Sequence, residues 1–290
     1  MQQLILRFTK FVLALLTASM ATSCIKYEIG TGFRTITGSK NVITEKRNVT
    51  SDFNKIHSST VIDVVVEQAP THEIVVKADD NLIEFLTTEI ENNTLKIYFD
   101  DVSIRNFKEA KVYVKLPEIS ELKASSSSEI NAVGTIVSES LTLKSSSTAK
   151  ITLNKVRAND VDIKASSSSD IKVKEIYAVN LQAKTSSTAD FEAYIEADNI
   201  SLEASSSSDM DIKGKALELF AKTSSTATID AKELFANNVT ATSSSSSSIK
   251  TYPIVSLKAK ASSTASIHYY NDPQNLEKET SSTGSVKKNK

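Results

Sequence analysis

Apolar and polar residues alternate in short stretches from residue 121 to the end of the chain. Between Leu141 and Leu153, every second residue is apolar at the two ends and small in the middle, and the residues between them are Lys, Ser and Thr. The stretches that begin at Val161 and Ile200 have the same order. Side chains that face inward at every second position are typical of β-strands, and no stripe of helical period competes with them. We therefore predict strands in which half of each serine run faces inward, Ser147 included, and the other half faces outward.

The alternating stretches repeat with a period near 20 residues, which indicates stacked coils. Each copy is marked by the apolar residue that follows its serine run: Ile130, Ile151, Ile171, Phe191, Met210, Ile229, Ile249, Ile267 and Val286. One coil of this length cannot bury its own apolar face, whereas coils stacked about 4.8 Å apart can. The sequence thus predicts an all-β fold, a single-stranded parallel β-helix (β-solenoid). Inward hydroxyls in such a stack can pass hydrogen bonds from coil to coil.

The serine content has to be weighed against this prediction, because a serine-rich half is commonly a flexible linker or stalk. The chain has 43 serines, of which 35 follow position 120. Copies that read Ser-Ser-Ser-Ser-acidic alternate with copies that read Ser-Ser-Thr-Ala through most of the array, and a disordered stalk has no reason to keep such a phase. Pieces such as Asn159–Asp160 and Asp198–Asn199 are the predicted corners, since Asn and Asp tolerate left-handed turns.

Charge and cysteine content exclude several classes of function. The 34 Lys and Arg residues nearly cancel the 35 Asp and Glu residues, whereas a nucleic-acid binder carries a basic excess. A single Cys excludes an internal disulfide framework and multi-cysteine metal sites. We expect no cofactor and no nucleic-acid partner.

Residues 41–120 are less regular and are predicted to cap the solenoid, because a solenoid end exposes unpaired backbone groups. Asn92–Asn93 is predicted to be a hairpin turn, and Asp80–Leu86 a short helix capped by Asp80 or Asn81. Four strands are predicted in this region: Val61–Glu67, Glu73–Lys77, Thr94–Phe99 and Ala110–Leu116.

The first residues have the form of an export signal. Arg7 and Lys10 precede the apolar run Phe11–Ala18, which is too short to span a bilayer, since a spanning helix needs about 20 apolar residues. Ala21–Cys24 resembles a bacterial lipobox, with Ala21 in place of the commoner Leu. An ordinary secretory signal with an incidental Cys is the alternative. The predicted organisation is a lipoprotein signal peptide at 1–23, a tether at 24–40, the β cap at 41–120 and the solenoid repeats at 121–290.

Residues from about 49 to 270 resemble the putative auto-transporter adhesin, head GIN domain family of Bacteroidetes envelope proteins. The resemblance lies in the segments Arg47–Ile56, Val61–Gln68, Leu95–Tyr98 and Lys115–Leu122, and in the recurring small-residue coils. Family members often carry Gly-Ser where this chain has Ser-Ser. The resemblance implies an exported, β-helical and often lipid-anchored protein, and it brings no catalytic residues.

Candidate chemistry in the repeats is sparse. Ser-x-x-Lys occurs at Ser120/Lys123, Ser147/Lys150 and Ser169/Lys172, but an odd separation in a strand sends the two side chains to opposite faces. His57, His72 and His268 have no companion carboxylate at an informative spacing. No catalytic site is therefore predicted.

Acidic residues recur at one outward position of the repeats. Asp170, Asp190 and Asp209 occupy it in successive copies, and three stacked carboxylates are a weak candidate for a Ca²⁺ site. The alternative is a solvated ladder of charges balanced by a neighbouring lysine column, which consists of Lys144, Lys164, Lys184 and Lys222.

The outward Ser and Thr residues are predicted to form a flat hydroxyl face that binds a ligand. Its members are Ser146, Thr148, Ser166, Ser168, Ser186 and Thr188. The sequence thus indicates a non-enzymatic lipoprotein of the cell envelope, held in the outer membrane by a lipid on Cys24. It would act in adhesion or ligand binding, with a glycan or an envelope or host protein as partner. The alternative is a carbohydrate-active enzyme on a β-helix scaffold.

Overall fold

In the computed structural model, which describes residues 34–290, the stretches of alternating apolar and polar residues form stacked strands. The described residues form twenty strands and no helix. In chain order the strands are β1 (Arg34–Thr37), β2 (Val42–Arg47), β3 (Lys55–Ser58), β4 (Asp63–Gln68), β5 (Glu73–Asp79), β6 (Leu86–Glu91), β7 (Thr94–Phe99), β8 (Val102–Arg105), β9 (Ala110–Leu116), β10 (Glu121–Ala124), β11 (Glu129–Ser146), β12 (Lys150–Ser166), β13 (Asp170–Ser186), β14 (Asp190–Ala204), β15 (Asp209–Thr223), β16 (Thr228–Ser243), β17 (Ser248–Ala261), β18 (Ser266–Tyr269), β19 (Asn275–Thr280) and β20 (Ser285–Lys288).

The strands from β10 onward pair in parallel with the equivalent residues of the next coil. Ile130 lies beside Ile151, and Ile151 lies beside Ile171. These marker residues are buried, so the stack encloses the continuous apolar core that a single coil lacks. The predicted all-β parallel solenoid with a less regular N-terminal cap is therefore confirmed.

Each coil bends where the inward side chains change parity. Within β12 the inward residues Leu153 and Val156 are an odd number of positions apart, as are Val156 and Val161, and all three are buried. An odd step moves a side chain to the other face of a strand unless the backbone turns. The chain must therefore turn a corner at each step.

Side chains at the Asn-containing corner form ladders along the stack. Asn180 donates to Asp160 at 2.9 Å, and Asn199 donates to Asn180 at 3.0 Å. The predicted corner position is thus confirmed, but the left-handed backbone is not found there. The strand assignment continues through the corner, and residues with positive φ lie elsewhere.

The left-handed residues lie in the serine runs, which are tight turns. Ser147 and Thr148 have φ of 55° and 68°, and Ala149 N–H closes the turn on the carbonyl of Ser146 at 3.3 Å. Ser147 is therefore exposed at the apex of the turn, and the same holds for Ser167 and its equivalents. The prediction that this middle serine faces inward is wrong, because the chain reverses at the run instead of continuing as a strand.

Two residues of each serine run do face inward, one on each side of the turn. In most coils one of them carries a hydroxyl and the other is Ala, and the hydroxyl changes sides from coil to coil. The two columns are Ala124, Ser145, Ala165, Thr185, Ala204 and Thr223 before the turn and Ser128, Ala149, Ser169, Ala189, Ser208 and Ala227 after it, all of them buried. This arrangement explains why the two kinds of repeat alternate along the chain.

The hydroxyls of these two columns have partners within the stack, whereas the buried Thr251 Oγ1 of β17 has none. Thr185 donates to Ser208 of the next coil at 2.9 Å, and Thr223 and Ser243 share a hydrogen bond of 2.8 Å. Ser145 donates to the carbonyl of Ala149 at 2.9 Å, across its own turn. The predicted passage of hydrogen bonds from coil to coil is confirmed for the first two pairs.

Residues 34–116 close the N-terminal end of the stack with strands that pair partly in parallel and partly antiparallel. β3 pairs in parallel with β10 on one side and β7 on the other, and β4 lies likewise between β11 and β9. Beyond them the pairs β6–β7, β5–β9 and β2–β5 are antiparallel. The predicted hairpin at Asn92–Asn93 is confirmed, with φ of 51° and 60°.

The helix predicted at Asp80–Leu86 is wrong, because this segment is a turn. β5 ends at Asp79 and β6 begins at Leu86, which leaves room for a single turn. The N–H groups of Leu82 and Ile83 both bond the carbonyl of Asp79, at 2.8 and 3.1 Å. Burial of Leu82 and Leu86 fixes the segment against the core.

Residues 35–290 form one compact unit. The signal peptide, Cys24 and most of the tether lie outside the described residues. Among residues 34–290 there is no helix that could span a bilayer.

Candidate binding surfaces

The predicted hydroxyl face is brought together as a ridge along the serine turns. Ser146 lies beside Ser166, and Ser166 beside Ser186, at the ends of their strands. Thr148, Ser168 and Thr188 follow the apex of each turn and are exposed. Because the apex separates the two sets, they form the flanks of a ridge and not the flat face that alternation predicted.

Hydroxyls on the ridge bond to one another and to backbone carbonyls. Ser168 and Thr188 are joined at 2.8 Å, and Ser207 and Thr226 at 3.0 Å. Thr226 also approaches the carbonyl of Ser206 at 2.8 Å. These hydroxyls already stabilise neighbouring turns, so a ligand on the ridge would have to compete with those contacts.

The backbone ladder of the ridge changes direction halfway along the solenoid. Thr148 N–H donates to the carbonyl of Ser167 in the next coil at 3.2 Å, whereas Thr226 N–H donates to Ser206 in the preceding coil at 2.8 Å. The change accompanies the loss of the second left-handed residue, which is present through Thr188 and absent from Ser207 onward. The ridge therefore consists of two segments with opposite hydrogen-bond polarity.

The acidic column stacks as predicted. Asp170 lies beside Asp190, and Asp190 beside Asp209. Partial burial, followed by the two neighbouring carboxylates, raises the pKa of Asp190. Within residues 34–290 no group of three acidic, His or Cys side chains is arranged to hold a metal ion. The Ca²⁺ site thus stays a prediction.

The lysine column does not balance this acidic column. Lys144, Lys164 and Lys184 pair instead with Glu121, Asp162 and Glu203, at 2.8, 2.6 and 3.4 Å. The serine turn lies between the two columns and directs them to different sides of the coil. The acidic column therefore carries like-charge repulsion, which its raised pKa at Asp190 reflects.

His57 has a carboxylate partner that sequence spacing missed. Its Nε2 lies 2.5 Å from Glu121 Oε1, and Lys144 Nζ lies 2.8 Å from the other oxygen. Partial burial lowers the pKa of His57. Partial burial opposes ionisation of Glu121, but hydrogen bonds from Lys144 and His57 outweigh it and hold the pKa of Glu121 below its usual range. The pair comes from adjacent coils, so its partners are distant in sequence.

The other two histidines make ordinary surface contacts. His72 lies 3.5 Å from Asp52, and its Nε2 lies 3.0 Å from the carbonyl oxygen of Phe53. His268 contacts Asn289 at 3.1 Å. Of the Ser-x-x-Lys pairs, Ser169 is buried and Lys172 is exposed, so these two side chains lie on opposite sides as predicted.

A groove of about 750 Å³ on the side of the solenoid was not foreseen from the sequence. Its floor is a column of small residues, Ala158, Ala178, Ala197 and Ala216. Aligning the repeats coil by coil would have shown this alanine column, with Tyr177 and Phe235 at the preceding position. The marker-residue alignment did not reveal it because the groove lies on a different side of the coil.

Comparison with known families gives a match over most of the repeats. The family described as "Putative auto-transporter adhesin, head GIN domain" matches residues 52–174 and 173–273. No protein among the curated sequences matches this chain.

Solved structures with the same fold include proteins from Parabacteroides and Bacteroides. A putative adhesin from Parabacteroides merdae is 21% identical, with a TM-score of 0.69 over 89% of this chain and 100% of that one. A protein titled putative lipid binding protein, from Parabacteroides distasonis, is 22% identical, with a TM-score of 0.62 over the same shares. A putative adhesin from Bacteroides fragilis is 19% identical, with a TM-score of 0.52 over 87% and 99%. At these identities the likeness concerns the fold.

Proposed function

Because the chain belongs to the family of putative auto-transporter adhesins with a head GIN domain, we propose that it is a lipid-anchored adhesion protein of the cell envelope. It binds its partner without covalent chemistry, through the outer surface of the solenoid. The anchor is the acylated Cys24, and the outer membrane is its location. A multiply acylated cysteine holds a soluble domain stably, since each buried CH₂ contributes about 0.8 kcal/mol.

The regular outer surface of the coils is the observation that supports binding. Outward positions form columns wherever equivalent residues of successive coils are paired in parallel register, as they are for Asp170, Asp190 and Asp209. Such columns present the same chemistry at every coil, at the strand spacing of about 4.8 Å. A rigid repeated surface suits an elongated partner, as in other solenoids.

Anchoring is tested by replacing Cys24 with Ala in the native host. Wild-type protein should sediment with membranes and incorporate labelled palmitate, and Cys24→Ala should do neither. Cys24→Ser keeps the size of the side chain without the thiol and should behave like Cys24→Ala, which would attribute the loss to the thiol and not to side-chain size. Membrane association that is the same in all three chains would contradict the anchor.

Binding is tested by applying the purified full-length chain to a glycan array that also carries mucin. We expect retention on at least one glycan or on mucin. No retention on any spot would contradict the adhesion role for these partners.

The competing function is a carbohydrate-active enzyme on the same scaffold. Incubation with the retained glycan, followed by product analysis, separates the two. Intact glycan supports a binding protein, whereas product formation that Asp190→Ala abolishes would establish the enzyme.

A further inference from the structure

The groove floored by alanine runs along the stacking direction and has two unlike walls. One wall is the column Tyr177, Glu196, Lys215 and Phe235, in which each residue pairs with the next. The other wall lies just beyond the alanines and consists of Asp198, Leu217, Asn237 and Ile254, and Val179, which does not line the groove, continues this column one coil before Asp198. The alanine floor keeps the walls apart and leaves space between them.

Apolar and polar residues alternate along the second wall at intervals of one coil. Val179, Leu217 and Ile254 are 43%, 51% and 40% exposed, which is high for large apolar side chains. Asp198 and Asn237 separate them. An isolated exposed apolar residue needs no explanation, but a line of them along one groove indicates a contact surface.

The aromatic residues of the first wall are held in place by their neighbours. Lys155 and Arg157 of the preceding coil lie 5.1 and 5.6 Å from the centre of the Tyr177 ring. Phe235 packs edge to face against Tyr252, with ring centres 4.8 Å apart. Fixed aromatic rings lose little conformational entropy on binding.

The polar residues between the rings are also fixed. Tyr194 donates to Glu196 at 2.7 Å, and this hydrogen bond is the main reason why the pKa of Tyr194 rises to about 12. Lys215 lies 3.9 Å from the same carboxylate. The groove therefore offers a carboxylate held by Tyr194, together with the exposed ammonium group of Lys215 and the amide of Asn237.

These features distinguish between the classes of elongated ligand. A peptide strand would need unpaired backbone groups, but the backbone on both sides of the groove is used in the parallel ladders between coils. A polyanion would be repelled by two carboxylates in the groove, Glu196 and Asp198, and attracted by one ammonium group, that of Lys215. An acyl chain would lie against charged groups in an open groove, and its burial would remain incomplete. A neutral sugar chain offers hydroxyls and apolar ring faces in turn, which matches the alternation of the wall.

We propose that this groove binds a neutral, extended oligosaccharide, which lies along the solenoid axis. Sugar rings contact Tyr177 and Phe235, and their hydroxyls bond to Glu196, Asp198 and Asn237. This inference deepens the proposed adhesion function and rests on it, because it names the site and the ligand class of that function.

The test uses the full-length chain with Cys24 replaced by Ala, which carries no lipid and needs no detergent. Cellohexaose, xylohexaose and laminarihexaose are titrated by calorimetry, with an alginate hexasaccharide and palmitate as the acidic and acyl alternatives. We expect at least one neutral hexasaccharide to bind. The double variant Tyr177→Ala/Phe235→Ala should weaken that binding at least about tenfold, as for the central aromatic residues of an interface.

Matched controls separate the groove from the ridge and from unfolding. Phe220 is about as exposed as Phe235 but lies on another side of the coil. Phe220→Ala should therefore leave binding unchanged. If the double variant fails to fold, Leu217→Gln replaces it as the test. This variant keeps an extended side chain and should weaken binding. On the ridge, replacement of Thr148, Ser168 and Thr188 by Ala tests the other candidate surface, and weakened binding in this variant alone would place the ligand on the ridge and not in the groove.

Three results would overturn the inference in distinguishable ways. Binding of a neutral hexasaccharide that survives both the double variant and Leu217→Gln would place the ligand elsewhere and leave the adhesion function intact. Preference for alginate or palmitate would replace the ligand class. Failure of all neutral hexasaccharides would reject the groove proposal, and the adhesion function would fail as well only if the array retained nothing.

Discussion

The cap (residues 34–116) and the solenoid (residues 121–290) are both β-structures, but they are stabilised in different ways. In the solenoid, inward positions recur from coil to coil, either as apolar residues or as Ala alternating with Ser or Thr, and the alternating hydroxyls bond within or between coils. In the cap, Asp79 is a single buried carboxylate, which accepts hydrogen bonds from the N–H groups of Lys40, Lys108 and Glu109 at 2.9 to 3.2 Å.

The difference shows where each region can tolerate change. A buried carboxylate with three backbone donors is strongly stabilised by charge-assisted hydrogen bonds, but the cap has no second copy of it. Loss of one repeated hydroxyl affects two neighbouring coils, because contacts in a solenoid are made between nearest neighbours. We therefore expect single changes to be costlier in the cap, except where a coil departs from its own repeat.

Gly214 is such a departure, and its replacement should have the largest effect. It occupies an inward position beside Ile195 and Leu234, with φ of 125°, and an added Cβ would lie 1.9 Å from the carbonyl oxygen of Ile195. Gly214→Ala should cost about 4 kcal/mol or more, measured by chemical denaturation, because the backbone of Ile195 must shift.

Gly134 supplies the matched control for this substitution. It has φ of 77°, but an added Cβ would meet no atom within 4 Å. Gly134→Ala should therefore cost only about 1 to 2 kcal/mol for the left-handed backbone. Equal effects at the two glycines would show that conformation, and not contact with Ile195, controls the cost.

Asp79→Ala should have the next largest effect. It leaves three partly buried N–H groups without this acceptor, and since an unsatisfied buried donor costs about 1 to 3 kcal/mol, a total loss of about 3 kcal/mol is expected in the unfolding free energy. Asp80→Ala is the control, because Asp80 is exposed and bonds Ser39 and Asn41 at the surface. A small effect at Asp79 would remove the contrast between cap and solenoid.

Ser208→Ala should be less costly, because Thr185 is its one buried side-chain partner and its other two hydrogen bonds, both to the Ser205 backbone, lie within its own turn. It leaves the buried hydroxyl of Thr185 without its partner at 2.9 Å, for which we expect a loss of about 1 to 3 kcal/mol. The double variant Thr185→Val/Ser208→Ala removes both hydroxyls and should lose clearly less than the sum of the two single variants. Additive losses in this cycle would mean that the two hydroxyls do not interact.

Asp190→Asn should have the smallest effect and the opposite sign. The pKa of Asp190 is raised, so the folded chain binds this proton more tightly than the unfolded chain, and the ionised group costs stability at neutral pH. The variant should gain up to about 0.5 kcal/mol at pH 7 and less at high salt. The gain should shrink as the pH falls through the raised pKa of Asp190, because the wild-type carboxylate becomes protonated and its cost is lost.

Glu192→Gln is the control for this charge effect. Glu192 is exposed and pairs with Lys172 at 2.7 Å, so its loss should be neutral or slightly destabilising at pH 7. A gain of the same size at both positions would attribute the effect to net charge and not to stacking of Asp190 between two carboxylates.

The solenoid could be predicted from the sequence because its period is local. Ile130, Ile151 and Ile171 repeat at a spacing of 20 to 21 residues, and strand parity predicts that their side chains face inward. The serine turns escaped this reasoning, since a run such as Ser145–Thr148 fits strand alternation, and its left-handed apex is unusual for residues other than glycine.

Contacts between non-equivalent residues could not be predicted. Glu121 is 64 residues from His57, and Asp79 meets donors from before and after it in the chain. The groove was missed for a similar reason, because its walls depend on which side of the coil each residue faces, and that depends on where the coil bends.

Alanine methyl NMR of the Cys24→Ala chain, titrated with the hexasaccharide that binds most tightly, tests the binding site most directly. If the groove is the site, the methyl signals of Ala158, Ala178, Ala197 and Ala216 shift together, and those of Ala149 and Ala189 beneath the ridge do not. Shifts at Ala149 and Ala189, or in the cap at Ala78 and Ala110, without shifts in the groove would contradict the account.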